Sequence, residues 1–145
     1  MPYRAIVYDE AGAFHSGEEA AALLGVPPEC VYKTLVLLRD PARGRPLIVL
    51  APSHVEVDLG RLARHLGEKR LRMATRREAE ALTRMRAGAI TAIGLRRGAF
   101  DVYIDERALG QEWIYVSAGA HGVELELRPE DFIALTGARP VPVAD

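Results

Sequence analysis

The chain has one cysteine, Cys30, in 145 residues, which excludes an internal disulfide and any cysteine-rich zinc site. Beside Val31 that thiol reads as a small apolar filler rather than a nucleophile. No apolar run approaches the roughly 18 residues that a membrane-spanning helix needs, and the opening MPYRAIVYDE lacks the charged-then-apolar order of a signal peptide. A cytoplasmic protein with no membrane partner is therefore expected. Several catalytic signatures are also missing: there is no G-x-S-x-G elbow, no P-loop, no G-x-G-x-x-G after a strand, and no His/Glu pair at helical metal-ligand spacing. The four histidines are scattered. His15 in a loop, His54 in a turn and His65 on a polar helix face read as surface side chains, while His121 stands in the small-residue turn SAGAHG, where an imidazole could serve a ligand. No metal and no cofactor are expected.

What remains is an ordinary globular composition, 49% apolar and 27% charged, in a chain long enough for one domain with one substantial core. The net charge of −1 conceals a strong asymmetry. From Lys69 to Arg97 there are nine Lys or Arg residues against Glu78 and Glu80, whereas Asp101 to Asp131 carries eight acids against Arg107 and Arg128. Such a basic middle is either a solvated arginine-rich helix surface or a place to hold phosphates. Arg72, Arg76 and Arg77 are the candidates for RNA contact.

Periodicity divides the chain into short elements. YRAIVYD alternates as a strand and is followed by a helix over Gly17–Leu24, with Ser16 and Glu19 forming a capping box and Gly25 stopping it. Cys30 to Leu38 reads as a strand, and the loop DPARGRP turns it back into LIVLAP as a hairpin. Asp58 caps a helix whose Leu59, Leu62, Ala63 and Leu66 share one face, ended by Gly67. A short strand over 71–74 precedes a second capping box, Thr75 with Glu78, and a helix through Leu82. GAITAIG, DVYID, EWIYVSAG and GVELELR then read as consecutive strands, closed by a helix that starts at Pro129 and ends before Gly137. The expected fold is α+β: a single domain over residues 1–145 around one strongly curved mixed β-sheet, a partly closed barrel, flanked by helices. Residues 138–145 are expected to be an extended tail.

Within that frame the stretch CVYKTLVLL is unusual, because a lysine interrupts an apolar strand. Alternation puts Lys33 on a face with Val31, Leu35 and Leu37, and Tyr32, Thr34, Val36 and Leu38 on the other. A lysine among apolar neighbours must pair, snorkel to an edge, or give up its proton more easily, so it is either structural or a reagent. Two Gly-bounded segments accompany it, Gly88 to Gly94 and Ser117 to Gly122, where backbone N–H groups can approach an anionic oxygen. A lysine with backbone donors suits electrostatic catalysis of ester cleavage, by water or by a group on the substrate.

The segments EEAAALLGVPPECVYKTLVL, LGRLARHLGEKRLRMAT, GAITAIG, YID and IYVSAGAHGVELELRPEDFIALTG resemble, in that order and over nearly the whole chain, the YbaK and prolyl-tRNA synthetase editing-domain family, which includes free-standing aminoacyl-tRNA deacylases. The resemblance implies that Lys33 is the family's essential strand lysine. It implies an aminoacyl pocket built from Tyr8, Gly88, Thr91, Gly94, Ser117, Gly119, His121, Gly122 and Glu124. Thr91-Ala92 stands where the family commonly has Ser-Pro, and AGAHG replaces a loop that often carries two glycines and a basic residue. The implied activity is hydrolysis of misacylated tRNA, most simply cysteine or alanine carried on a proline tRNA, with misacylated tRNA and prolyl-tRNA synthetase as partners. A catalytically silent module that captures aminoacyl-tRNA or a synthetase, and a small-molecule esterase, are the alternative readings. The sequence leaves the oligomeric state open.

Overall fold

The computed structural model describes residues 2–13, 15–96 and 98–145; Arg97, counted above in the basic segment, lies outside the described residues. Most elements begin and end where local chemistry says they should. Ser16 Oγ accepts the Glu19 N–H while the Glu19 carboxylate accepts the Ser16 N–H, and the helix α1 runs Gly17–Leu24. Asp58 caps α2 (Leu59–Leu66). The Thr75–Glu78 box starts α3 (Arg76–Thr83), and Pro129 begins α4 (Pro129–Thr136). Three of the four helices stop at a glycine in the left-handed region, namely Gly25, Gly67 and Gly137, where the missing Cβ removes the steric cost. α3 stops instead at Arg84, with φ of 59°.

The strands are β1 (Tyr3–Val7), β2 (Tyr32–Arg39), β3 (Leu47–Pro52), β4 (Leu71–Met73), β5 (Asp101–Asp105), β6 (Ile114–Ser117), β7 (Val123–Leu127) and β8 (Arg139–Val141). They form two sheets, and this corrects the expectation of one curved, partly closed sheet. One sheet is antiparallel with order β1-β7-β6, and the other is mixed with order β4-β2-β3-β5-β8. Among the described residues the two meet through a single parallel bridge between Val31 and Tyr115, so the hydrogen-bonded ladder does not continue from one to the other there. A second correction concerns GAITAIG, which is loop rather than strand. Two of its amides turn to local acceptors, Thr91 N–H to Met85 Sδ at 3.4 Å and Ile93 N–H to Thr91 Oγ1 at 3.3 Å. Residues 138–145 are integrated into the fold: β8 pairs in parallel with β5, and Val141 and Val143 are buried.

The inner faces of the two sheets pack together through Val36, Ile48, Leu50, Ile104, Ile114, Val116 and Leu127, with Phe132 of α4 closing the layer. Leu62 and Ala63 of α2 cover the other face of the five-stranded sheet, on Leu37, Leu47 and Val49. Ala20 and Ala21 of α1 pack with Val31 and Tyr115, against which Ile6 and Tyr8 are half-buried. The alternation of β2 is thereby explained, because one parity serves the inter-sheet core and the other the α2 layer. Burial of these layers removes the large aliphatic side chains from water and supplies the main drive to fold.

Candidate functional site

A cavity of about 200 Å³ opens where the start of β2, the end of β1, the beginning of α1 and the β6–β7 turn converge. It is small beside the roughly 300–1,000 Å³ of pockets for drug-sized ligands, and it suits a group the size of one amino acid. Its lining includes Tyr8, His15, Lys33, Thr34, Gly88, Ser117 and Glu124. α1 can approach this closely because residue 17 is glycine: a Cβ there would meet the Ser53 side chain at the end of β3.

Lys33 is half-buried. It borders the cavity and also a groove beside Glu56, Val57, Leu59 and Met73. Its ammonium makes no hydrogen bond or ion pair among the described residues. Glu124 on β7 lies between Ile6 of β1 and Ser117 of β6 in register and is 8% exposed. Two residues along the same face, Glu126 is fully engaged, with Arg4 at 3.0 Å and the Tyr115 hydroxyl at 2.6 Å. Glu124 has no such partners among the described residues, and its buried Oε2 is unpaired there. Loss of solvation, with no compensating cation, pushes its carboxyl up to about 8, because the charged form is the one that burial disfavours. The hydroxyls of Tyr32 and Thr34 are likewise buried without partners and line the same cavity.

Tyr8 lies beside this carboxyl. Burial and then the Glu124 charge raise its hydroxyl above the usual phenol range, and its ring stands 5.7 Å from that of His15. His15, expected at the surface, instead lines the cavity and bonds Asp9 Oδ2 at 2.7 Å. The Asp9 carboxylate raises the His15 imidazole and is itself lowered by it. A histidine directly before a capping box, with an aspartate six residues upstream, was the available signal.

The glycine-rich segments divide between lining and support. Gly88, Ile90, Ser117 and Ala120 line the cavity, and the N–H groups of Gly88, Ile90 and Ala120 have no acceptor among the described residues. Thr91 is buried outside the lining, its Cγ2 facing both Gly94 and Gly119, so these three form a packed layer. Gly122 is also supporting: with φ of 82° its carbonyl accepts the Tyr8 N–H at 2.9 Å, and a Cβ there would collide with the Asp9 backbone. His121 lies outside this cavity, in the adjoining grooves, with Nε2 3.1 Å from the Ala87 carbonyl.

The three arginines named from sequence differ in their commitments. Arg72 is bidentate on Glu78 at 2.8 Å for both bonds, Arg76 is 3.6 Å from Glu80, and Arg77 is exposed. Cys30 donates to Gln111 Oε1 at 3.3 Å, and burial pushes its thiol up, which makes it a poor nucleophile.

Residues 12–135 match the sequence profile of the family described as the aminoacyl-tRNA editing domain. The chain belongs to that family. It is 31% identical over 139 residues to a protein of Enterococcus faecalis named as a Cys-tRNA(Pro)/Cys-tRNA(Cys) deacylase, spanning 96% of this chain and 83% of the relative. It is 33% identical over 115 residues to a proline–tRNA ligase of Nitratidesulfovibrio vulgaris, covering 79% of this chain but 19% of the ligase. A crystal structure described as a trans-editing enzyme for prolyl-tRNA synthetase superposes with a TM-score of 0.84 at 24% identity, over 99% of this chain and 87% of that one; this likeness establishes the fold. The editing-domain member is thus an α+β protein in which two sheets and α1 enclose an amino-acid-sized cavity.

Proposed function

We propose that this editing domain acts in trans, hydrolysing the ester that joins a wrong amino acid, cysteine or alanine, to the 3′-terminal adenosine of a proline tRNA. The observation that carries the reading is a cavity of about 200 Å³ bordered by an unpaired lysine and containing a buried, unpaired carboxyl. Correction of this kind is needed because a synthetase pocket gains only about 1–3 kcal/mol from a one-methylene difference.

Each part of the cavity has a role in this proposal. Glu124 receives the α-ammonium of the aminoacyl group: an arriving cation supplies the compensation that the neighbouring side chains do not, and draws the carboxyl back to its ionised form. Lys33 places a fixed positive charge beside the ester, and the N–H groups of Gly88, Ile90 and Ala120 are the donors for the developing oxyanion. Protein nucleophiles are poorly placed. Ser16 and Ser117 accept backbone N–H groups from Glu19 and Gly119, and among the described residues neither is hydrogen-bonded to a group that would take its proton. Attack therefore falls to water, or to the thiolate when the amino acid is cysteine. Misacylated tRNA is the substrate and prolyl-tRNA synthetase the proposed source of it.

The test is a panel of mischarged tRNAs, timed for loss of the amino acid. The reading expects Cys- or Ala-tRNA(Pro) to be deacylated faster than Pro-tRNA(Pro). Binding of every member without turnover would establish a capture module instead.

A further inference from the structure

α3 differs from the other helices at its end. Where Gly25, Gly67 and Gly137 take the left-handed conformation, α3 places Arg84 there, and Arg84 is the one non-glycine residue with positive φ among the described residues. For an L residue carrying a Cβ this conformation is costly relative to glycine. Strain retained at one site invites a functional explanation when the neighbours point the same way.

The neighbours do. Arg84 and Arg86 line a surface groove with Arg76, Glu80, Met85 and His121. That groove adjoins an opening lined by Arg76, Ala87, Gly88 and His121, and Gly88 is also part of the cavity wall. A continuous path therefore runs from the Arg84–Arg86 groove past Arg76 to the proposed reaction centre. Neither the Arg84 nor the Arg86 guanidinium forms a hydrogen bond or ion pair among the described residues. The carboxylate lining the groove, Glu80, is occupied by the Ala87 N–H at 2.8 Å and by Arg76 at 3.6 Å, and the Arg86 charge adds only a lesser attraction to it. The loop that carries the arginines is tied down on both sides, by that Ala87 bond and by Thr91 N–H on Met85 Sδ. Guanidiniums on a fixed loop with their N–H donors unspent make planar, multi-donor sites for phosphate oxygens.

We infer that Arg84 and Arg86, assisted by Arg76, bind the phosphodiesters of the single-stranded end of an RNA whose terminal ester enters the cavity. This deepens the editing proposal and rests on it for the identity of the RNA. It also moves the RNA contact from Arg72, which is spent on Glu78, to the loop after α3. The groove reads backbone and not sequence, because phosphate contacts position a strand without distinguishing its bases.

The test uses the full chain with Arg84→Gly and Arg86→Gln combined. Glycine keeps the left-handed turn and removes the guanidinium, so the variant should fold at least as well as the parent, which its melting temperature verifies. Binding of an uncharged, CCA-ended RNA hairpin is measured by fluorescence anisotropy across a salt series. The expected result is at least tenfold weaker binding at low salt. The log–log salt slope should be shallower by about 1.4, two single-strand phosphates at roughly 0.7 each. Arg43→Ala, in the β2–β3 loop at the far end of β2 from Lys33, should leave both quantities unchanged. Inorganic phosphate and AMP at millimolar concentration should fail to displace the hairpin; displacement by either would make this a mononucleotide or anion site and overturn the assignment to a strand. Unchanged affinity and slope in the double variant would also overturn it. An aminoacyl-adenosine ester without phosphates separates the two proposals. If the parent and the double variant cleave it equally while only the parent favours tRNA, the groove proposal holds. If the parent cleaves no ester yet the variant loses the hairpin, the groove stands and the editing reading fails.

Discussion

At the scale of single residues, Lys33 and Glu124 carry the sharpest expectations. Lys33→Met keeps the unbranched stem and deletes a half-buried charge that has no partner, so its melting temperature should be unchanged or higher. Single-turnover deacylation should fall by about 10²–10³-fold, the scale of losing one oxyanion-stabilising group. Lys33→Arg should fail too, because a planar fork cannot occupy the same point. Full activity in a stable Met variant would remove Lys33 from the chemistry. Glu124 makes a statement about stability as well. Its folded-state pKa of about 8 lies above the ordinary carboxyl range, so between pH 4.5 and 8 the unfolded chain ionises while the folded one stays neutral. Folding is disfavoured as pH rises through that window, by up to about 1.4 kcal/mol per pH unit. Glu124→Gln should therefore gain stability over the parent between pH 5 and 8, with the difference constant above that range, as followed by urea midpoints. The same variant should lose preference for a free α-amine over an N-acetylated aminoacyl-tRNA. Lys33 was legible in the sequence because a charged residue breaks an apolar strand, whereas Tyr8 and Glu124 were legible only through the family resemblance. His15 and Thr34 were not, since only the approach of α1 to β2 makes them part of one cavity.

Elements were legible where the chain writes its own stop signals. Both capping boxes, the Asp58 cap and the terminal glycines gave the helices nearly to the residue, and the tight alternation of VELEL gave β7. GAITAIG misled because its apolar alternation mimics a strand, although its Thr91 and Ile93 amides bond Met85 and Thr91 instead of a neighbouring ladder. The glycines also differ in what they do, and substitution separates them. Gly25 has φ of 73°, and an alanine Cβ at that position would meet nothing within 4 Å, so Gly25→Ala should cost about 1 kcal/mol, the conformational part alone. Gly122→Ala adds a collision with the Asp9 backbone and should cost several times as much or prevent folding. Equal denaturant midpoints for the two would show that the β1 end has room to move. A shifted Asp9 would take His15 with it, so partly folded Gly122→Ala should also lose affinity for substrate.

For the molecule as a whole, the mix of helix and strand patterns gave a single α+β domain, but not its division into two sheets. That division depends on a ladder interrupted between Val31 and Tyr115, and no strand pattern reports which strands are neighbours across a gap. The charge asymmetry was legible, its use less so: Arg72 is paired with Glu78 and Arg76 with Glu80, while Arg84 and Arg86 form no hydrogen bond or ion pair among the described residues. Association with tRNA should weaken steeply between 50 and 200 mM salt, read as a rise in KM at constant kcat, and salt-independent association would remove the basic surface from recognition. The single bridge between the sheets has a further consequence. The cavity takes Ser117 and Glu124 from one sheet, with Tyr8 just past its strand β1, and Tyr32, Lys33 and Thr34 from the other, so it lies along the seam where the fewest backbone bonds hold the halves together. Amide protons of β6 and the first residues of β2 should then exchange through openings smaller than global unfolding. A ligand that touches both walls acts as a clasp, and slowed exchange on both sides at once would register its arrival before any bond is cleaved.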